Sequence, residues 1–518
     1  MSQMLKSSGA MAAATLTSRV LGLVREMVYA AFMGLSWVAG AFTLAFMVPN
    51  LFRRLLGEGA LTAAFIPIFK QKEQRDGEKE MWRTANAVIS GLLVAAGAIT
   101  LLAIVGISVA LAYGEFQPKT MLMLRLLRWM FPYMLLACLA AVLIGMANAR
   151  GHFFVPALGS VLLNVVMIGS VLLLAPLMGV KLEEQIFGLA IGVVVAGLAQ
   201  ASFQIPGLWR EGFRYGWVSP WHDPTVREVV VKMIPGSIGV AAFQINVLVT
   251  QSFSFWFDPT IVPAFNNAVR LMELPQGMFG ISLATFLLPT LSGLAAEKKF
   301  PEFRATLKQG LSYLAFANLI AAAVSLALAE PIVRLLFERR AFTPADTQRV
   351  ALALACLAPG LLMFSMNNIL ARAFYALHDI KTPMKISLAC LALNLGFALW
   401  FVRSYREAGL AVANTLSAGF NIALLLYTLR KKLARLDMPG LPREVFILLG
   451  AAIAAGTVGF GLYRFWDGKF GHATLLVKIG AVFVPGALAG VVYWLLAVLA
   501  KIPAAAEMSG LITKRLRR

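Results

Sequence analysis

Five arginines fall inside stretches of this 518-residue chain that otherwise read as membrane spans: Arg19, Arg25, Arg53, Arg54 and Arg270. A guanidinium keeps its charge at any accessible pH and costs at least ~2.5–3.5 kcal/mol at the centre of a bilayer. Such a residue faces a bundle interior or a watery cavity, unless it sits near a span end and its stem reaches the headgroups. Arg53 and Arg54 lie midway along the 36–69 segment, too deep for that reach, and are expected to line a cavity. Glu58, four residues beyond Arg54, is placed to pair with it on one helix face and to leave Arg53 for a ligand. Arg270 has Glu273 one turn away, so a cavity role and an intrahelical ion pair both stand. Arg19 shares a face with Glu26, while Arg25 points elsewhere.

Several arginines converging on one space make a poor cation site and a good polyanion site. The planar fork binds phosphate oxygens bidentately, and a dry cavity strengthens each contact, so a diphosphate is the matching ligand. A cation exporter would instead place carboxylates at the midplane, where the first two spans offer only Glu26 and Glu58 beside arginines. Arg125 and Arg128 begin a span and read as interface anchors. Arg150 and Arg372 end matching spans, where structural anchoring and headgroup contact are equally open.

The elements that must hold these residues are membrane helices. The chain is 59% hydrophobic and 14% charged, with mean hydropathy +0.78, whereas soluble domains carry ~25% charged residues. A span needs about 20 mainly apolar residues, and this ruler predicts an all-α polytopic protein with fourteen of them. Residues 36–69 and 261–292 are too long for straight spans, and Pro49, Pro275 and nearby glycines predict bends there. The first helix, with Arg19 and Arg25 inside it, reads as retained rather than as a cleaved signal. The net charge of +21 does not indicate nucleic acid, because the basic residues gather in alternate loops and at the tail. That pattern puts both termini in the cytoplasm. The loop with Arg334, Arg339, Arg340 and Arg349 falls on the opposite side and breaks the pattern. Cys138, Cys356 and Cys390 lie far apart in apolar runs and read as packing residues. The four histidines make no metal spacing, and no catalytic triad or phosphate loop emerges, so neither an enzyme nor a cofactor is expected.

The chain also repeats itself. Residues 147–156 end the fourth span and open the fifth, and residues 374–383 do the same between the tenth and eleventh. Asn50 to Arg53 parallels Asn267 to Arg270. The halves therefore correspond as 1–226 and 227–440, two six-helix lobes inserted the same way up and related by an axis along the membrane normal, a known transporter arrangement. Residues 441–518 add two further spans and a basic tail.

Several strings carry a family likeness: Ser18-Arg19-Val20-Leu21-Gly22-Leu23-Val24-Arg25, Pro49-Asn50-Leu51-Phe52-Arg53-Arg54-Leu55-Leu56-Gly57-Glu58-Gly59-Ala60, Phe131-Pro132-Tyr133, Arg270-Leu271-Met272-Glu273 and Asp379-Ile380-Lys381-Thr382-Pro383. On these the chain closely resembles the MurJ (MviN) lipid II flippases, within the wider group of multidrug and polysaccharide exporters. The resemblance implies alternating access. It also implies movement of lipid II, the undecaprenyl-diphosphate disaccharide-pentapeptide, across the bacterial inner membrane for peptidoglycan synthesis. The family's cationic cavity would map to Arg19, Arg25, Arg53 and Arg270, with Arg54 and Glu58 beside them. Membrane lipids and wall-synthesis proteins would be the partners, and the last two spans would form a groove for the polyprenyl tail. Members often carry an aspartate where this chain has Gly40, and another acid where Val269 stands. Some relatives bind sodium; the positions here are Gln244, Asn246, Asn394, Asn414 and Thr415, of which Asn394, Asn414 and Thr415 would make a weak site without a carboxylate. A flippase for another polyprenyl-diphosphate glycan and a cation-coupled drug exporter are the competing readings.

Overall fold

The computed structural model describes residues 2–57, 60–221, 223–433, 436, 438–507 and 510. Among them there is no strand. Eighteen α-helices follow one another: α1 Ser2–Met33, α2 Trp37–Phe52, α3 Ala60–Asp76, α4 Glu78–Tyr113, α5 Pro118–Met130, α6 Pro132–Ala149, α7 Phe154–Gly169, α8 Leu182–Arg210, α9 Pro224–Phe257, α10 Ile261–Pro275, α11 Ser282–Ala296, α12 Phe300–Ala327, α13 Ala329–Phe337, α14 Pro344–Leu357, α15 Gly360–Ala376, α16 Lys381–Lys432, α17 Leu441–Phe470 and α18 Leu475–Leu499. Nine described helices are long and apolar enough to cross a membrane, or eleven if each bent pair counts as one span. The expected fourteen is not established on that measure. Part of the difference is α16, which joins two helices across a kink at Arg406 (φ 50°, ψ −128°). Another part is charge: Arg19, Arg25 and Glu26 fall within eight residues of α1, and Arg53 and Arg54 follow α2.

Both long segments break, close to the prolines. Pro49 lies within α2, and a π-helical stretch, Arg53–Gly57, begins four residues later. Pro275 ends α10, and a second π stretch, Gln276–Ile281, leads into α11, with a bend of 42° between the two arms. Proline removes a backbone donor and crowds the carbonyl one turn back, so the helix gives way beside it.

Contacts divide the chain into two compact units, Met1–Pro263 and Ala264–Arg518. In the first, α9 packs on α2, α3 and α4, and its last carbonyls, at Phe255 and Trp256, accept from Lys119 Nζ at 3.3 and 2.7 Å. In the second, α17 and α18 pack on each other and α17 on α12, with Tyr493 donating to the Phe316 carbonyl at 2.8 Å.

One of the two repeated strings adopts the same turn in both units. His152 N–H donates to Ala147 O and Asp379 N–H to Phe374 O, both at 2.9 Å, the helix-ending bond in which the chain turns through a left-handed residue. That residue is Gly151 (φ 86°) in one unit and His378 (φ 57°) in the other; the histidine costs about 1–2 kcal/mol that the glycine avoids. Each turn is tied to the end of a later helix in its own unit, with the charges reversed. Glu211 takes His152 Nε2 at 2.7 Å and Arg150 Nε at 3.0 Å, whereas Asp379 takes Lys432 Nζ at 2.6 Å.

Asp379 also accepts the Thr382 N–H at 3.0 Å and its hydroxyl at 2.7 Å, so the Asp-Ile-Lys-Thr-Pro string is a cap for α16. Burial pushes this carboxyl up, but Lys432 and the Thr382 donors outweigh it and bring it to about 2. The folded value is depressed, so the stabilisation is complete above the ordinary carboxylate range and is lost only as pH falls through about 2. Asp379→Asn is expected to lose about 1–2 kcal/mol. Thermal unfolding in detergent should show the same deficit at every pH from 5 to 8; a deficit that shrinks across that window would contradict the assignment.

Two of the four arginines that break the loop pattern are matched by carboxylates. Arg334 is held by Glu330 at 2.5 Å, Glu338 at 3.3 Å and Asp467 at 3.6 Å. Arg349 meets Glu407 through Nε and Nη2 at 2.7 and 2.9 Å. Cys138 and Cys390 are buried and Cys356 half-buried, all as free thiols.

Candidate functional site

The site is built from the arginines outward, within each unit. On α1, Arg19 lies on an exposed face with Leu16 and Val20. That helix is fixed by α7, where Asn164 Nδ2 donates to the Ser18 carbonyl at 3.1 Å. Arg25 is turned inward, and its side chain is 16% exposed. Its Nη2 meets Glu26 Oε1 at 2.5 Å, and its guanidinium lies 5.6 Å from the centre of the Tyr29 ring. Glu26, on Arg19's face by helical spacing, therefore serves the adjacent Arg25, because a long side chain can wrap around the helix to its neighbour. Arg25 Nε is buried without a hydrogen-bond partner, an unmet donor in a low-dielectric setting.

Arg53 opens the first π stretch and donates from Nε to Asn50 Oδ1 at 2.9 Å. Asn50 is one turn back, so the side chain expected to stand ready for a ligand is already oriented by a neutral acceptor. Arg53 and Arg54 are half-buried; Glu58, the expected partner of Arg54, lies outside the described residues. Single π turns recur at functional sites because they rotate side chains out of the ordinary helical register.

Arg270, on α10, pairs with Glu273 Oε2 at 2.9 Å, the two side chains 47% and 50% exposed. The intrahelical pair is thus present, on an open surface where it contributes about 0.2–0.5 kcal/mol. Arg53 and Arg270 match in the repeat but not in surroundings: one reaches back to an amide, the other forward to a carboxylate.

Of the weak sodium positions, Asn394 and Asn414 are brought together across the kink of α16, Nδ2 to Oδ1 at 2.8 Å. Thr415 donates to the Cys356 carbonyl at 3.1 Å instead. Sequence reasoning missed the partners Tyr29 and Asn50, although spacings of four and three residues from an arginine signal both.

At the other end of the first unit, Arg150 is an anchor. Glu73, Glu78 and Glu211 converge on it from α3, α4 and the end of α8, and Trp82 lies beneath, 6.0 Å away. The Lys70 ammonium foremost, and Arg150 with it, hold the Glu73 carboxyl below the usual range. Arg150→Ala leaves these carboxylates facing one another at a site 22% exposed, and is expected to cost about 2–4 kcal/mol. The drop in thermal stability of purified protein measures it, and Arg150→Lys should recover only part, since an ammonium cannot serve three directions at once.

Gly40, where the family resemblance implies an aspartate, has no room for one. A Cβ there would lie 2.1 Å from the carbonyl oxygen of Pro259, in the turn between α9 and α10.

Bent, apolar helices with arginines at or near their breaks define the class: a polytopic α-helical membrane protein. A family model described as "Lipid II flippase MurJ" matches residues 29–480. The chain is 34% identical over 504 residues to the probable lipid II flippase MurJ of Bdellovibrio bacteriovorus, covering 96% of this chain and 94% of that one. It is also 34% identical to the lipid II flippase MurJ of Burkholderia cenocepacia over 477 residues, 88% of this chain and 89% of the other. The chain belongs to the MurJ lipid II flippase family. Among solved structures, a lipid II flippase MurJ in an inward closed conformation has the same fold, with TM-score 0.76, 21% identity, and coverage of 93% of this chain and 98% of that one. An inward-facing multidrug resistance MATE transporter follows at TM-score 0.65 and 14% identity, over 82% of this chain and 98% of its own.

Proposed function

We propose that this chain flips lipid II from the cytoplasmic to the periplasmic leaflet by alternating access, with the diphosphate held on Arg19, Arg25, Arg53, Arg54 and Arg270 and with Glu58 beside them. The observation that carries the reading is that a member of this family places arginines at or near breaks in otherwise apolar helices, where charge is retained at a cost only for a ligand of opposite sign. The unmet Nε of Arg25 supports an anionic ligand, since that buried donor has no hydrogen-bond partner in the protein. The sugar-peptide head would be shielded while the polyprenyl tail stays in lipid, and rocking of the repeats would expose the head to the far side. Both termini lie in the cytoplasm on this reading. The paired state of Arg334 and Arg349 supports that orientation, because two of the four contrary charges are already matched by carboxylates.

Depleting the protein in a bacterium that depends on it, and measuring lipid II in each leaflet, tests the proposal. Lipid II should accumulate in the cytoplasmic leaflet within one or two generations. An unchanged lipid II distribution with loss of another surface glycan would move the substrate to a different polyprenyl diphosphate and overturn it.

A further inference from the structure

We infer that the N-terminal end of α9 carries a phospholipid headgroup site, apart from the arginines assigned to lipid II, and that it prefers a headgroup with its own positive charge, ethanolamine, over glycerol. A pocket of about 550 Å³ opens there, lined by Trp221, Asp223, Arg227, Glu228, Val231 and Lys232 among others. Its walls are fixed. The Asp223 carboxylate caps α9 through the Thr225 and Val226 N–H groups at 2.8 and 3.3 Å. Thr225 and Val229, one turn apart, are buried, which turns Arg227, Glu228, Val231 and Lys232 outward. The preceding connector is strapped to α4: Asn86 Nδ2 donates to the Arg214 carbonyl at 3.0 Å, and Ser90 meets Tyr215 Oη at 3.2 Å.

The charges say what the pocket takes. Lys232 is matched by Glu228 at 2.6 Å, while the Arg227 guanidinium has no ion pair or side-chain hydrogen bond among the described residues. One unmatched fork suits one phosphodiester. Glu228 is paired with Lys232 and Asp223 lies 3.8 Å from Arg83, so the wall offers no surplus positive charge to a second anionic group, while both carboxylates keep lone pairs that an ammonium can meet. The surroundings supply the rest of a lipid. Val230, Val231 and Ile234 continue along α9 as exposed apolar side chains, Trp221 is exposed in the pocket wall, and Trp217 is exposed on the connector that leads to it. Tryptophan with an apolar helix face marks the headgroup boundary of a bilayer.

Native mass spectrometry of the full chain, titrated in detergent with short-chain phosphatidylethanolamine or phosphatidylglycerol, tests the site. The first ethanolamine lipid should be retained at lower concentration than the first glycerol lipid, and Arg227→Ala should raise the concentration for half occupancy roughly tenfold. Water-soluble phosphoethanolamine at the same concentrations should not displace the lipid. Equal retention of the two lipids, unchanged occupancy in Arg227→Ala, or full displacement by phosphoethanolamine would each overturn the inference. Arg227 is exposed, so its loss should not disturb folding.

Discussion

Arg19→Ala and Arg270→Ala are each expected to abolish rescue of a flippase-depleted bacterium while membrane expression stays normal. Each removes a guanidinium from a helix whose other groups leave it on an exposed face, so nothing in the fold collapses. Arg19 lies with exposed Leu16 and Val20, and Arg270 gives up an exposed pair with Glu273. On the proposed function, the loss falls on binding of the diphosphate instead. A hydrogen bond to a charged group contributes about 1.5–3 kcal/mol, which corresponds to roughly 10- to 150-fold in affinity per arginine. Lysine at either position keeps the charge and loses the fork, so partial rescue by Arg270→Lys would show that a point charge suffices there. Normal growth with both alanine variants, at wild-type protein level, would remove these residues from the site.

Gly40→Asp, which installs the acid that the family resemblance implies at that position, should disable the protein. The added Cβ would meet the Pro259 oxygen at 2.1 Å and its carbonyl carbon at 2.8 Å, distances that require backbone to move. The turn has little freedom to do so, because Lys119 clasps the end of α9 and Phe255 is buried in the core. Overpacking of this kind costs about 1–3 kcal/mol. Gly40→Ala, which adds the same Cβ without charge, separates steric from electrostatic effects: both variants should lower thermal stability and impair rescue alike. If Gly40→Asp is stable and active while Gly40→Ala is not, the acid has made a compensating contact and the steric account fails.

Much of the molecule was legible in the chain because its governing signals are local. Apolar runs gave helices, Pro49 and Pro275 gave breaks close to where the π stretches fall, and the 227-residue offset between Gly151 and His378 reappears as the same left-handed turn. Span count was less secure, since a kinked α16 and charge-bearing first helices defeat any ruler of length and apolarity. At the candidate site, spacing identified the arginines but not their partners. Glu26 bonds to adjacent Arg25 rather than to Arg19 on its own face, because side-chain reach overrides helical periodicity.

The sequence by itself determined the class of protein, its family and the residues that carry unusual charge, since each follows from composition and short-range pattern. Only the tertiary structure decided which charges are spent on the fold. Arg150 finds carboxylates up to 77 residues away, Arg349 finds Glu407 at a distance of 58, and Gly40 finds the Pro259 carbonyl across more than two hundred residues. Those partners are chosen by how helices pack, and packing brings together side chains whose separation along the chain carries no signal of their meeting.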